Sequence, residues 1–222
     1  MRPLINIDLG ELPGEPEELY ALADLANVAC GGHAGDEASM RRACKLAKSH
    51  GTRLGAHPSF PDRPNFGRVS MTISDDGLRQ TLADQLTALR EIARTEGIAI
   101  THVKPHGALY HDVARSPALA TLFIDVVRER LGGVTVVGPP EGALIQVGVP
   151  YFKEGFADRG YDASGHLLPR GSKGALLHDP AEAVAQALRL SHFDTLCIHG
   201  DNPNAMGIAR AVRNALEPVP CG

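Results

Sequence analysis

Apolar residues along this chain fall into short runs separated by longer amphipathic stretches. The runs are Leu4–Asp8, Ala26–Cys30, Arg53–His57, Ile100–Lys104, Val134–Gly138, Tyr151–Gly155 and Thr195–His199. Interiors such as "VTVVG" and "TLCIHG" are almost wholly apolar, as expected of strands covered on both faces. Between them lie helix signals. Asp36 to His50 opens with acids, carries bases in its body and stops at Gly51. Ser74 to Glu96 places Leu78, Leu82, Leu86, Leu89 and Ile92 on one face and stops at Gly97. Ser116-Pro117 predicts a capped helix to Leu131, Asp179-Pro180 starts another, and Pro203 starts the last. Strand and helix alternating seven times argue a parallel sheet with helices outside.

The 222 residues suit a single domain, 1–222, with length enough to bury a core. Net charge is −4 with signs interspersed and no Lys/Arg tract, which speaks against nucleic-acid or membrane-surface binding. No apolar run could span a bilayer, and Met1-Arg2-Pro3 leads straight into a strand without a secretory signal, so a cytoplasmic protein is expected. Cys30, Cys44, Cys197 and Cys221 form no C-x-x-C pair and read as reduced thiols, Cys30 and Cys197 as small buried hydrophobes.

Each run but one ends in chemically capable residues. Asn6 and Asp8 with Gly10-Glu11 follow the first, and His33 and Asp36 the second. His57 ends the third, with Arg63 and Arg68 beyond it. Lys104 and His106 end the fourth, Glu154 with Asp158-Arg159 the sixth, and His199 with Asp201 the seventh. In a parallel barrel all strand C-termini emerge on one face, so these residues would line one pocket. "THVKPHGALYH" (101–111), with three histidines, a lysine and a tyrosine, would be one wall of it. Taken singly, a polar strand end reads better as a loop cap or a satisfied core group, and only the repetition favours a site.

Some residues fit plainer roles. His50 ends a helix, His192 lies in a loop, Asp179 is an N-cap, and "RGSKG" (170–174) is either an anion cradle or a polar loop. There is no phosphate loop, no G-x-G-x-x-G and no G-x-S-x-G. Pro105 and Gly107 keep His102 and His106 from forming a helical metal pair. Asp8, His57 and His106 are chemically able to hold zinc or manganese, but their spacing assigns no metal ligand.

"NIDLGE" (6–11), "ANVACGGHAGD" (26–36), "GAHPSFPDRPNFGR" (55–68), "HVKPHGALY" (102–110), "EGFADRGY" (154–161) and "CIHGDNPNA" (197–205) closely resemble the LamB/YcsF family, the A subunit of prokaryotic ATP-dependent 5-oxoprolinase. Ile7 stands where that family usually has Cys, and Gly32 where it has Phe. The chain is shorter than the family pattern after the DLGE motif and before the run at 195–199, which bears on a lid or partner surface. The resemblance implies an irregular (β/α)7 TIM-like barrel related to glycoside hydrolase and deacetylase barrels. It also implies ATP-coupled opening of 5-oxoproline to L-glutamate, in company with subunits B and C.

On that reading ATP, with Mg2+, is the cofactor, a protein-bound metal stays open, and a homo-oligomer is allowed. Lys104 is expected to meet phosphate or oxyanion charge, Asp8 to act as general base, and His106 to shuttle the proton. Arg159 would take the substrate carboxylate, while Asn6, His33, Asp36, His57, Glu154, His199 and Asp201 bind or orient. Lys104→Met is expected to abolish turnover with the fold intact. Two other classes compete: a metal-dependent amide or carbohydrate deacetylase, and a non-catalytic binding subunit.

Overall fold

The computed structural model describes residues 2–217. Seven parallel strands pair in chain order and close into a barrel: β1 (Leu4–Leu9), β2 (Leu25–Ala29), β3 (Arg53–His57), β4 (Ile100–Val103), β5 (Thr135–Gly138), β6 (Tyr151–Phe156) and β7 (Thr195–His199). β7 returns to β1 in a register that sets Asn6 beside Cys197 and Asp8 beside His199. Every predicted strand is present, with ends displaced by about one residue, as boundary fraying allows.

Outside lie α1 (Glu18–Leu22), α2 (Glu37–His50), α3 (Asp75–Glu96), α4 (Gly107–Arg115), α5 (Pro117–Leu131), α6 (Pro180–Arg189) and α7 (Ala205–Leu216). The predicted caps form. Asp36 accepts the Ser39 N–H at 2.8 Å, Ser74 that of Gly77 at 3.2 Å, Ser116 that of Leu119 at 3.3 Å and Asp179 that of Ala181 at 2.9 Å. Gly51 and Gly97 end their helices at φ 70 and φ 67, the left-handed region that glycine enters without cost. α3 buries the predicted stripe from Leu78 to Ile92. Two short helices go unpredicted: α1 has five residues within an acidic, proline-bearing stretch, and α4 begins directly after Pro105-His106. The last helix starts at Ala205, two residues beyond the predicted Pro203.

Strand alternation splits each strand between two environments. Ile5, Ile7 and Leu9 face outward and join the apolar core under the helices. Asn6 and Asp8 face the barrel axis, where Asn27, Lys104 and Thr195 meet them and His102 bonds Asn27 in turn. The interior is therefore a hydrogen-bonded polar column where barrels more often stack branched apolar side chains. Gly55 makes room for it, because a Cβ there would stand 2.1 Å from His102 Nε2. No helix among the described residues is long and apolar enough to cross a membrane. Cys30, Cys44 and Cys197 are free and buried, while Cys221 lies outside the described residues.

Candidate active site

The strand C-termini open on one rim, as expected of a parallel barrel. A cavity there is lined by Asp8, His57, Lys104, His106, Arg159 and His199, with Arg68, Tyr110 and Arg170 around them. Six of the predicted site residues therefore meet. The other five are placed differently. Asn6 lies one layer below the rim, accepting from Asn27 at 2.7 Å and from Lys104 at 3.2 Å. Glu154 is buried beneath Lys104 and faces an adjoining cavity shared with Tyr110 and Phe156. His33 bonds Glu11 at 2.8 Å on the far side of the histidine cluster. Asp36 is occupied as the α2 cap, and Asp201 pairs with Arg68.

Lys104 organises the centre. Its ammonium, 2 % exposed, lies 2.9 Å from Asp8 Oδ1, 2.9 Å from Glu154 Oε1 and 3.0 Å from Cys197 Sγ. The contact with Glu154 is an ion pair without directed hydrogen-bond geometry, so both Glu154 oxygens lack a well-aligned donor. Burial works against the Lys104 charge, but Asp8, with Glu154, outweighs it and raises the pKa well above the ordinary lysine value. Burial also opposes ionisation of Asp8, yet His57 and Lys104 prevail and hold that carboxyl well below the usual range. Cys197 is thus no plain hydrophobe: burial first and Asp8 second push its thiol pKa upward, which keeps it protonated.

A second group surrounds His199. Its Nδ1 lies 2.8 Å from Asp158 Oδ1, and its backbone N–H donates to Asp158 Oδ2 at 3.0 Å. Asn202 donates to the same carboxylate at 3.3 Å. Burial disfavours the Asp158 charge, but His199 and these donors lower its pKa, so an ionised Asp158 fixes the Nδ1–H tautomer. That leaves Nε2 as the free ring nitrogen on the cavity wall.

Four more donors gather beside Asp8. One atom each from Glu11, His33, His57 and His106 lies within 4.8 Å of the others, all four side chains buried. Burial, then Asp8, raises the Glu11 carboxyl to about 7, and burial lowers His33 to about 3. His106 is pushed well below the ordinary imidazole value by burial and then by His33. Imidazole with carboxylate is a donor set that suits zinc or manganese. Asp8, Cys197 and His199 are also close together, but the Lys104 ammonium already stands against Asp8 and Cys197.

Arg159 behaves differently from its predicted role as a free carboxylate fork. Its Nε donates to Ala175 O at 3.0 Å and its Nη2 to Leu168 O at 2.7 Å, which ties the 157–177 segment over the rim. Burial, with Arg170 nearby, lowers it to about 10. Arg68, stacked 4.6 Å over the Phe66 ring, and Arg170 also line the cavity, and both lie against Asp201. Gly32 also has a local reason. A Cβ there would come within 2.4 Å of Ser59 Oγ and 2.5 Å of Gln85 Oε1, because Gln85 fills that space and bonds the Ser59 backbone at both N–H and C=O.

Sequence reasoning placed Glu11 and Asp158 among the strand-end residues without individual roles, passed over Asn27 and read Cys197 as a small buried hydrophobe. The alternation in "LINIDL" and "LANVA" places Asn6, Asp8 and Asn27 on one face and would have exposed the polar column. No sequence signal separates Asp158 from an ordinary loop acid.

The LamB/YcsF family model matches residues 4–220. The 5-oxoprolinase A subunit from Methylococcus capsulatus is 42% identical over 236 aligned residues, covering 96% of this chain and 91% of the relative. That from Chromohalobacter salexigens is 40% identical and covers 97% of each. Both alignments are longer than the 222 residues here, so these relatives carry residues this chain lacks. A crystal structure of a lactam utilization protein from Thermus thermophilus superposes with a TM-score of 0.88 at 36% identity, covering 97% of this chain and 96% of that one.

Proposed function

From the premise that the chain belongs to the LamB/YcsF family, we propose that it is the A subunit of a 5-oxoprolinase. On this reading it works in the cytoplasm with subunits B and C, opening the 5-oxoproline lactam to L-glutamate with hydrolysis of one ATP. The names of the curated relatives and the lactam utilization protein support the substrate class. One observation carries the assignment of the site: an oriented His199–Asp158 pair and a buried Lys104–Asp8 pair share a cavity rimmed by arginines.

A lactam carbonyl is a poor electrophile, which is why coupling to ATP is chemically useful. The carbonyl oxygen displaces ADP from the γ-phosphorus, activating the ring carbon. Water adds to that carbon, and the C–N bond breaks as a proton reaches nitrogen, giving an acyl phosphate. A second water then releases phosphate and L-glutamate. Arg68 and Arg170 offer fixed charge for phosphate, and Lys104 for the oxyanion at the floor.

The proton roles differ from those expected from sequence. Asp8 is held ionised and surrounded by donors, which makes it a weak base, so we assign it to positioning Lys104. His106 has its Nε2 committed to the Phe66 carbonyl at 2.9 Å. We give the proton transfers to His199, whose Nε2 is free and whose tautomer Asp158 fixes.

A second reading, a metal-dependent amide or carbohydrate deacetylase needing no ATP, is favoured by the convergence of Glu11, His57 and His106. Glutamate release from 5-oxoproline by the chain with its partner subunits, with and without ATP, separates the two. Release that requires ATP supports the oxoprolinase. Amide hydrolysis indifferent to ATP and lost to a chelator overturns it.

A further inference from the structure

Two imidazoles beside Asp8 have their tautomers set from behind. His57 Nδ1 lies 2.7 Å from the Lys104 carbonyl oxygen, and His106 Nε2 lies 2.9 Å from that of Phe66. A carbonyl only accepts, so those nitrogens carry the hydrogens. In the neutral rings the remaining nitrogens, His57 Nε2 and His106 Nδ1, then hold lone pairs. They face each other at 3.0 Å. Glu11 Oε1 joins them, 3.4 Å from His106 Nδ1 and 3.8 Å from His57 Nε2. These three buried acceptors converge on one point, with Asp8 Oδ2 beside them at 3.4 Å from His57 Nε2.

We propose that Glu11, His57 and His106 bind one zinc-class divalent cation at the foot of the rim cavity. Tetrahedral bonds of about 2.0–2.1 Å put ligand atoms about 3.3 Å apart. The three separations, 3.0, 3.4 and 3.8 Å, bracket that edge. A single proton could join one pair of these atoms and would leave the third acceptor facing them. The carbonyls behind both rings are the outer hydrogen bonds that hold a ligating imidazole in place. One of them is built at a conformational cost, since Phe66 adopts φ 55, a left-handed backbone uncommon outside glycine, where it offers its carbonyl to His106.

His33 is assigned a supporting place. Its ring stacks on His106 with centroids 3.5 Å apart and planes 2° from parallel. An ion in the plane of one ring cannot lie in the plane of the other, so His33 donates to Glu11 and does not ligate. Three protein ligands, two of them on the cavity wall, leave a position for water or a substrate oxygen, the arrangement of catalytic zinc. This site goes beyond the proposed reaction and does not rest on it, because metal content is read without substrate.

The test strips the full chain with a chelator, reloads it with zinc and measures retained metal by elemental analysis after exhaustive dialysis. Cobalt(II) loading supplies an independent absorption readout. We expect about one zinc per chain and the visible bands of four-coordinate cobalt. His106→Ala and Glu11→Gln should each weaken retention by about tenfold or more. His192→Ala, in a turn far along the chain, should change nothing. Glu11→Gln keeps the shape of the site and carries the test if His106→Ala fails to fold. Folded wild-type protein that retains no zinc, or variants that retain as much as wild type, would overturn the proposal.

Discussion

Replacing Lys104 by methionine removes the ammonium that lies between Asp8 and Glu154, both about 2 % exposed. Sequence alone treats Lys104 as a strand-end charge that can be deleted with the fold intact. The structure gives it a second task. Methionine fills similar volume, so the loss is electrostatic: two buried carboxylates lose their shared cation, and Asn6 and Cys197 lose a polar neighbour. Leaving one buried charge unpaired costs about 3–5 kcal/mol, and two carboxylates put this site at the upper end. For a chain of this size each kcal/mol moves the melting point by about 2–4 °C, so Lys104→Met should melt at least about 10 °C below wild type. Thermal and denaturant unfolding followed by circular dichroism measure this, beside loss of glutamate release. Adding Glu154→Gln to Lys104→Met should recover part of the stability, because one of the orphaned charges is removed. A Lys104→Met protein melting within about 2 °C of wild type would refute the reasoning, since it would mean the carboxylates never needed the lysine.

Two smaller predictions concern stability. Gly32→Ala forces its Cβ against Ser59 and Gln85, displacing the amide that bonds the Ser59 backbone, and should cost about 1–3 kcal/mol in denaturant unfolding. Glu15 is buried and accepts from the Gly10 N–H at 2.8 Å and the Tyr20 hydroxyl at 3.4 Å, and its carboxyl is raised by burial to about 7. The folded chain therefore holds this proton more tightly than the unfolded chain, so stability falls as pH rises from the ordinary glutamate value to about 7 and then levels off, by about 3 kcal/mol for this group. Glu15→Gln should flatten that slope by its own share and be the more stable protein above the window. Identical slopes in the two proteins would remove Glu15 from the account.

The barrel was legible because its signals are local. Apolar runs marked each strand, and the caps at Asp36, Ser74, Ser116 and Asp179 marked four helices. α1 escaped because five residues give too few turns for a periodic stripe, and α4 because His106, its cap, makes no side-chain capping bond. The rim was legible because parallel closure gathers strand ends. Depth was not: Asn6 and Glu154 read like Asp8 and Lys104 in sequence, yet lie below or beside the cavity. Asp36 reads equally well as ligand or cap, and only the Ser39 bond decides it. Glu11 gained its importance from His33, His57 and His106, which come from three other segments of the chain.

The central claim is that the rim cavity performs the chemistry and that His199, oriented by Asp158, moves the proton. Glutamate released from 5-oxoproline and ATP by the complete complex, with His199→Gln in this chain against wild type, tests it most directly. General acid–base catalysis is worth about 100-fold or more, so the variant should lose at least that much turnover while keeping its fold and its place in the complex. Turnover within a few-fold of wild type from a folded, assembled His199→Gln complex would contradict the account.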